Sequence, residues 1–243
     1  MNKKMAGVAL AAALVSPPAW ADPTVITACQ TISQSGSYVV ANNIEMGGSG
    51  TCLTITTNDV TINLAGFSVV GRNSAILALG STPQVPLHGI TVRNGYVSSL
   101  NGPAVTLIDA VGSVVEGVHA SSLEGGGIAA GGIIRGNVVS AIEVFSPGTG
   151  IAVGGIVTDN FVSGFGIGIF AGGTVRGNVA INNSVGIEVG AGSTAIANSA
   201  TGNTKSGIQA DCPANLTDNT AVGNGTNLVL NGTDCHNEDN VAP

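Results

Sequence analysis

The chain has 243 residues, of which 44% are hydrophobic and only 3% aromatic, with 37 glycines and a formal net charge of −7 at pH 7. A surface this acidic repels phosphate groups, which excludes nucleic acid and anionic membranes as expected partners. So much glycine beside so many apolar residues is also unusual for a globular protein built of packed layers.

Residues 1–21 are typical of a secretory signal peptide. Lys3 and Lys4 precede an apolar stretch from Met5 to Val15, and Ala19-Trp20-Ala21 has the small-x-small pattern that signal peptidase cleaves. The stretch is shorter than the ~20 residues that a membrane-spanning helix needs. We therefore expect a secreted or periplasmic protein with no membrane insertion. Cleavage would change the net charge to −9 (5 − 14), because two of the 7 basic residues are removed.

Four cysteines remain in the expected mature chain: Cys29, Cys52, Cys212 and Cys235. An even number of cysteines in an oxidising compartment predicts two disulfides, for which three pairings are formally open. The positions of the cysteines along the chain favour two local disulfides, Cys29 with Cys52 and Cys212 with Cys235. The two cysteines of each pair are 23 residues apart. Metal ligation would need close pairs of the C-x-x-C type, which the sequence lacks. We expect no metal and no other cofactor.

A repeat of about 20 residues is the strongest signal in the sequence. Segments such as GGIIRGNVVS and GGTVRGNVAI align five asparagines in one column: Asn137, Asn160, Asn178, Asn198 and Asn219. Each copy continues after a glycine into a second apolar strand with alternating residues, as in Gly186-Ile187-Glu188-Val189. Two or three short strands per repeat, each pairing with its equivalent in the next coil, predict an all-β solenoid. We expect a single-stranded right-handed parallel β-helix of about eight coils with capped ends.

The predicted organisation follows from this repeat. Residues 22–53 form an N-terminal cap, residues 54–230 the β-helix, and residues 231–243 an acidic C-terminal tail. The asparagines have a structural explanation, since coils about 4.8 Å apart let each amide hydrogen-bond to its copies above and below. We interpret the column as holding a turn rather than binding a ligand.

The chain resembles the right-handed parallel β-helix repeat proteins of the pectate lyase-like superfamily, which includes NosD-like periplasmic proteins. The resemblance covers about residues 37–230 and rests on YVVANNI, LTITTNDVTINLAGFSVVG and the recurring G-I-x-x-x-N copies. It implies the fold alone, because the superfamily includes both enzymes and non-catalytic members. The N-T-D, G-H-G and R-I-K motifs of polygalacturonases are absent, and so are the clustered calcium-binding aspartates of pectate lyases. The resemblance argues mildly against an enzyme.

A charged column is the main candidate site. Arg93, Glu116, Arg135, Thr158 and Arg176 occupy equivalent positions at the end of the first strand, and Tyr96 and His119 lie three residues beyond the first two of them. The simpler interpretation is a solvated stack of ion pairs, each contributing about 0.2–1 kcal/mol. The alternative is a strip that binds anions through Arg93, Arg135 and Arg176, with Glu116 or His119 as candidate general base.

The second strand of the repeat has a different outward column. We predict that it consists of Thr106, Ala129, Ala152, Gly168, Glu188 and Gln209. These residues are mostly small and uncharged, which predicts a flat face that meets a polymeric surface or a neighbouring subunit.

Three functional hypotheses follow. The leading one is a non-catalytic protein that binds a polysaccharide or a cell-envelope component along one face. The second is a small polysaccharide lyase or glycoside hydrolase that uses the charged column. The third is a structural module that associates with itself through the flat face.

Overall fold

The computed structural model describes residues 22–80, 85–143 and 146–243. Over these ranges the chain is an all-β parallel solenoid of about ten coils, which confirms the predicted architecture and is close to the expected eight coils. The described ranges contain no helix, and therefore none that could cross a membrane. Right-handed winding remains a prediction from the chirality of parallel crossovers. The predicted signal peptide lies outside the described residues.

Each complete coil contributes to three faces. The first face contains the strands Thr24–Ile26, Gly36–Val40, Val60–Asn63, Ile156–Thr158, Thr174–Arg176, Thr194–Ile196, Asn215–Thr217 and His236–Glu238. The second contains Ile44–Glu45, Ser68–Gly71, Val138–Ala141, Phe161–Ser163, Val179–Ile181, Ser199–Thr201 and Thr220–Val222. The third contains Gln30–Ile32, Thr51–Ile55, Ser74–Ala78, Ser146–Val153, Phe165–Ala171, Val185–Val189, Ser206–Asp211 and Thr226–Asn231.

Three longer strands continue from one face to the next: Ile90–Ser99, Val105–Ser122 and Ile128–Arg135. The short strand Leu87–His88 pairs with residues 110 and 111 of the second of these. The repeat therefore has three strands, because the segment that follows each column asparagine forms a strand of its own. This additional strand builds the second face.

The core is a stack of inward side chains that repeats from coil to coil. On the first face, Val92, Val115, Ile134, Val157 and Val175 follow one another in register and are fully buried. Alternation along a strand places their neighbours outward. Burial of each such side chain contributes about 1.5–3 kcal/mol. The solenoid is thus a narrow core that presents fixed outward columns.

The predicted asparagine column is confirmed as a buried ladder at the first corner, between the first and second faces. At Asn178, Oδ1 accepts hydrogen bonds from N and Nδ2 of Asn160, both at 3.0 Å. Its Nδ2 donates to Oδ1 of Asn198 and to the carbonyls of Val157 and Arg176, each at 3.0 Å. Every polar atom of this buried amide is satisfied, as the interpretation of a turn-holding role requires.

The residue before each column asparagine has a left-handed backbone. Its φ is 61° at Gly136, 57° at Asp159, 64° at Gly177 and 53° at Ala197. Glycine, asparagine and aspartate tolerate this conformation best, which explains the G-N and D-N pairs of the repeat. The left-handed residue turns the chain from the first face to the second.

A second ladder, which the sequence analysis missed, holds the corner between the second and third faces. Nδ2 of Asn183 donates to Oδ1 of Asn203 at 3.2 Å, and Nδ2 of Asn203 donates to Oδ1 of Asn224 at 2.9 Å. The backbone N–H of Phe165 donates to Oδ1 of Asn183. Two parallel ladders therefore fix two of the three corners in the C-terminal half.

Both disulfides join adjacent coils near the ends of the solenoid. Cys29 bonds to Cys52 and Cys212 to Cys235, with Cα–Cα distances of 4.5 and 4.9 Å. These distances match the strand spacing of about 4.8 Å, so each bridge links one coil to the next. Two disulfides are typical of a protein from an oxidising compartment.

Candidate functional site

The charged column lies on the first face, immediately before the first corner. The strands align Arg93, Glu116, Arg135, Thr158 and Arg176 in one register, one residue per coil. Nε and Nη2 of Arg135 donate to Oε2 of Glu116 at 2.8 and 2.5 Å. The Arg135 side chain is 55% exposed, so this pair contributes no more than about 1 kcal/mol.

The three arginines do not converge on one point. Arg135 is neutralised by Glu116, and Arg176 lies two coils farther along, between Thr158 and Ile196. Nε of Arg93 is buried and has no hydrogen-bond partner in the described part of the chain. A shallow groove of about 370 Å³ beside Arg135 is also lined by two carboxylates, those of Glu116 and Asp159. Alternating charge makes this column a poor anion site.

The second face carries a different outward surface, which we call the aromatic strip. Its first column consists, coil by coil, of Ser68, Tyr96, His119, Val138, Phe161 and Val179. Its second column consists of Ser98, Ser121, Ser140 and Ser163. Tyr96 is 50% exposed, and Val138 and Phe161 are each 37% exposed. The strip combines apolar rings with a parallel row of hydroxyl groups.

Tyr96 and His119 form a pair of neighbouring rings within the strip. Their ring centroids are 4.9 Å apart and their planes are inclined by 33°. A depression of about 230 Å³ adjoins them, and its lining includes Ser98, Ser121 and Ser140. Oγ of Ser121 donates to Oγ of Ser98 at 3.2 Å, which links the hydroxyl groups of adjacent coils. His119 therefore lies in the aromatic strip, around the corner from the charged column.

The sequence contains a signal for this strip. The residue directly after each column asparagine starts the second-face strand and points outward, as Val138, Phe161 and Val179 show. Extending the same alignment to coils without a column asparagine adds Tyr96 and His119. From the sequence alone, His119 is instead a candidate general base for the charged column, and Tyr96 is placed only by its distance from Arg93.

The third face is less flat than predicted. Thr106, Ala129, Ala152, Glu188 and Gln209 do share one outward column, but the fourth member is Phe170 rather than Gly168. Gly168 is instead in register with Gly150 and Gly186, because Ile169 pairs with Ile151 and Ile187. Phe170 is 43% exposed and interrupts the row of small residues.

Glu188, next to Phe170 on the third face, is a half-buried carboxyl. Burial raises the pKa of Glu188, the nearby carboxylate of Asp211 raises this pKa further, and Lys205 lowers it. The pKa of Glu188 in the folded state lies above its ordinary value of 4.5. The free energy of unfolding should therefore fall as pH rises from 4.5 through the raised pKa. The charged form of Glu188 thus destabilises the fold at neutral pH.

We expect Glu188→Gln to be more stable than the parent protein at pH 7, because the amide resembles the protonated acid. The difference should vanish below pH 4.5, where both side chains are neutral. Urea unfolding midpoints across this pH range measure the effect, with the exposed Glu124→Gln as the matched control. An equal gain at every pH would show that titration of Glu188 is not its cause.

Across the described residues, no group of three or more His, Cys, Asp or Glu side chains is arranged to hold a metal ion. No protein-family model matches the chain, and no curated protein matches it either.

Proposed function

We propose that this chain is a secreted or periplasmic, non-catalytic protein that binds a polysaccharide of its surroundings or of the cell envelope along the second face. The observation that carries the proposal is the aromatic strip, in which exposed rings and a row of serine hydroxyls lie side by side on a rigid sheet. The two disulfides and the expected signal peptide support the location.

The chemistry of the strip suits a sugar. Aromatic rings present an apolar surface on which the C–H face of a sugar ring can stack, and hydroxyl groups both donate to and accept from sugar hydroxyls. Strands linked coil by coil hold these side chains in place, so little conformational entropy is lost on binding. A smooth, repetitive face of this kind matches a repetitive ligand better than a single small molecule.

The three-faced solenoid with an asparagine ladder also supports the proposal that the chain is a distant relative of the pectate lyase-like superfamily. This relationship favours carbohydrate as the ligand class by analogy of fold, which is a weaker argument than the strip itself.

The test is electrophoresis of the purified, disulfide-bonded protein through gels that contain single polysaccharides, with product release assayed on the same panel. We expect retarded migration in at least one gel and no product release. Absence of retardation throughout would contradict the proposal. Product release that is lost in an Arg93→Ala, Arg135→Ala double variant would also contradict it, and would assign the charged column to an enzyme.

A further inference from the structure

We infer that the ligand of the aromatic strip is an uncharged glycan chain, which runs parallel to the solenoid axis with its sugar rings stacked on Tyr96, His119 and Phe161. The inference rests on the proposed function and narrows it to one class of ligand and one direction of binding.

The aromatic strip carries no charged side chain. None of the outward residues of the strip is Asp, Glu, Lys or Arg, although the chain as a whole has 14 acidic and 7 basic residues. Recognition of an anionic glycan relies on arginine or lysine side chains that reach its carboxylate or sulfate groups. The nearest arginine column lies around the first corner, and there Arg135 is already paired with Glu116. An uncharged surface is complementary to an uncharged chain.

The three rings follow one another along the solenoid axis. Tyr96 and His119 are one coil apart, with a centroid separation of 4.9 Å, and Phe161 lies two coils beyond His119, about 10 Å farther along the axis. A chain parallel to the axis meets all three rings. A chain laid across the strands would meet only one of them, because each coil contributes one residue to this column. Axial binding therefore uses the most aromatic surface.

The shape of the strip also bears on the kind of ligand. Val138, between His119 and Phe161, is smaller than either ring. The neighbouring depression of about 230 Å³ is smaller than the ~300 Å³ at which pockets for whole small molecules begin. It has room for one sugar ring against Tyr96 and His119, while the serine row offers hydroxyl partners along one side of the chain. The surface thus fits a polymer that continues beyond the depression.

The test is calorimetric titration with three hexasaccharides: cellohexaose and chitohexaose, which are uncharged, and hexagalacturonate, which is anionic. We expect an uncharged hexasaccharide to bind with a dissociation constant that stays the same between low salt and 1 M salt, where the Debye length falls to about 3 Å. Tyr96→Ala and Phe161→Ala should each weaken binding about fivefold to tenfold. Tyr96→Phe should retain binding because it keeps the ring. Phe170→Ala, which removes a similarly exposed ring from the third face, should have no effect.

Three results would overturn the inference. Binding of hexagalacturonate alone, weakened by salt and by the Arg93→Ala, Arg135→Ala variant, would move the site to the charged column and leave polysaccharide binding intact. If no polysaccharide or hexasaccharide binds, the proposed function fails as well. A dimer that light scattering detects with increasing concentration, and that Phe161→Ala abolishes, would make the strip a contact between two copies of the chain.

Discussion

Asn178→Ala should lower the free energy of unfolding by about 4 kcal/mol, the largest effect that we expect of any single substitution discussed. The variant keeps the backbone N–H bond to Asn198 but removes an amide that is 0% exposed. Its loss leaves the buried backbone N–H of Asn160 without an acceptor, which costs about 1–3 kcal/mol, and Nδ2 of Asn160 loses one of its three acceptors. The carbonyls of Val157 and Arg176 lose a donor as well.

Urea unfolding monitored by circular dichroism measures this change. The control is Asn101→Ala, since Asn101 is exposed and its side chain makes no hydrogen bond within the described residues. Asn178→Asp adds a second comparison, because a carboxylate keeps the acceptor but cannot donate to Asn198. A loss of under 1 kcal/mol in Asn178→Ala would show that the ladder is not what holds the corner.

Replacing Cys212 and Cys235 together by alanine should destabilise the last coils by about 3 kcal/mol, the value expected for a closed loop of about 20 residues. The coils contact only their neighbours, so we expect the loss to remain local rather than to unfold the whole solenoid. Amide hydrogen exchange in residues 206–238 should accelerate about a hundredfold.

The amides of residues 128–176 serve as an internal reference in the same experiment, and they should keep their protection. Replacing Cys29 and Cys52 together by alanine should have the same effect at the other end, with fast exchange confined to the N-terminal coils. Equal acceleration in central and terminal coils would mean that the solenoid unfolds as one cooperative unit.

The sequence predicted the features that repeat without interruption. Asn137 to Asn219 recur at nearly constant spacing because each fills the same buried corner, and the first-strand core residues recur for the same reason. The spacing of 23 residues between Cys29 and Cys52 equals the length of their coil, since Gln30 pairs with Leu53. These features could be predicted since a solenoid repeats one local environment many times.

The features that the sequence analysis missed are those that only some coils share. The ladder of Asn183, Asn203 and Asn224 is confined to the C-terminal coils, where three members give little periodic signal. The outward position of Phe170 is assigned to Gly168 because this segment contains two Gly-Ile pairs, and the second pair, Gly168-Ile169, is the one in register with its neighbours. The aromatic strip could not be predicted because its residues change in chemical type from coil to coil. Tyr96, His119 and Phe161 share only their outward orientation on the second face.

The asparagine ladders also give the solenoid an electrical polarity. In both of them each Oδ1 accepts from the preceding coil, so the side-chain dipoles all point the same way, with their positive ends toward the C-terminal coils. Aligned dipoles add, as they do along an α-helix, and the positive end favours negative charge. Five of the 14 acidic residues lie at that end: Asp211, Asp218, Asp234, Glu238 and Asp239. The acidity of the last coils thus complements a field that the buried amides themselves create.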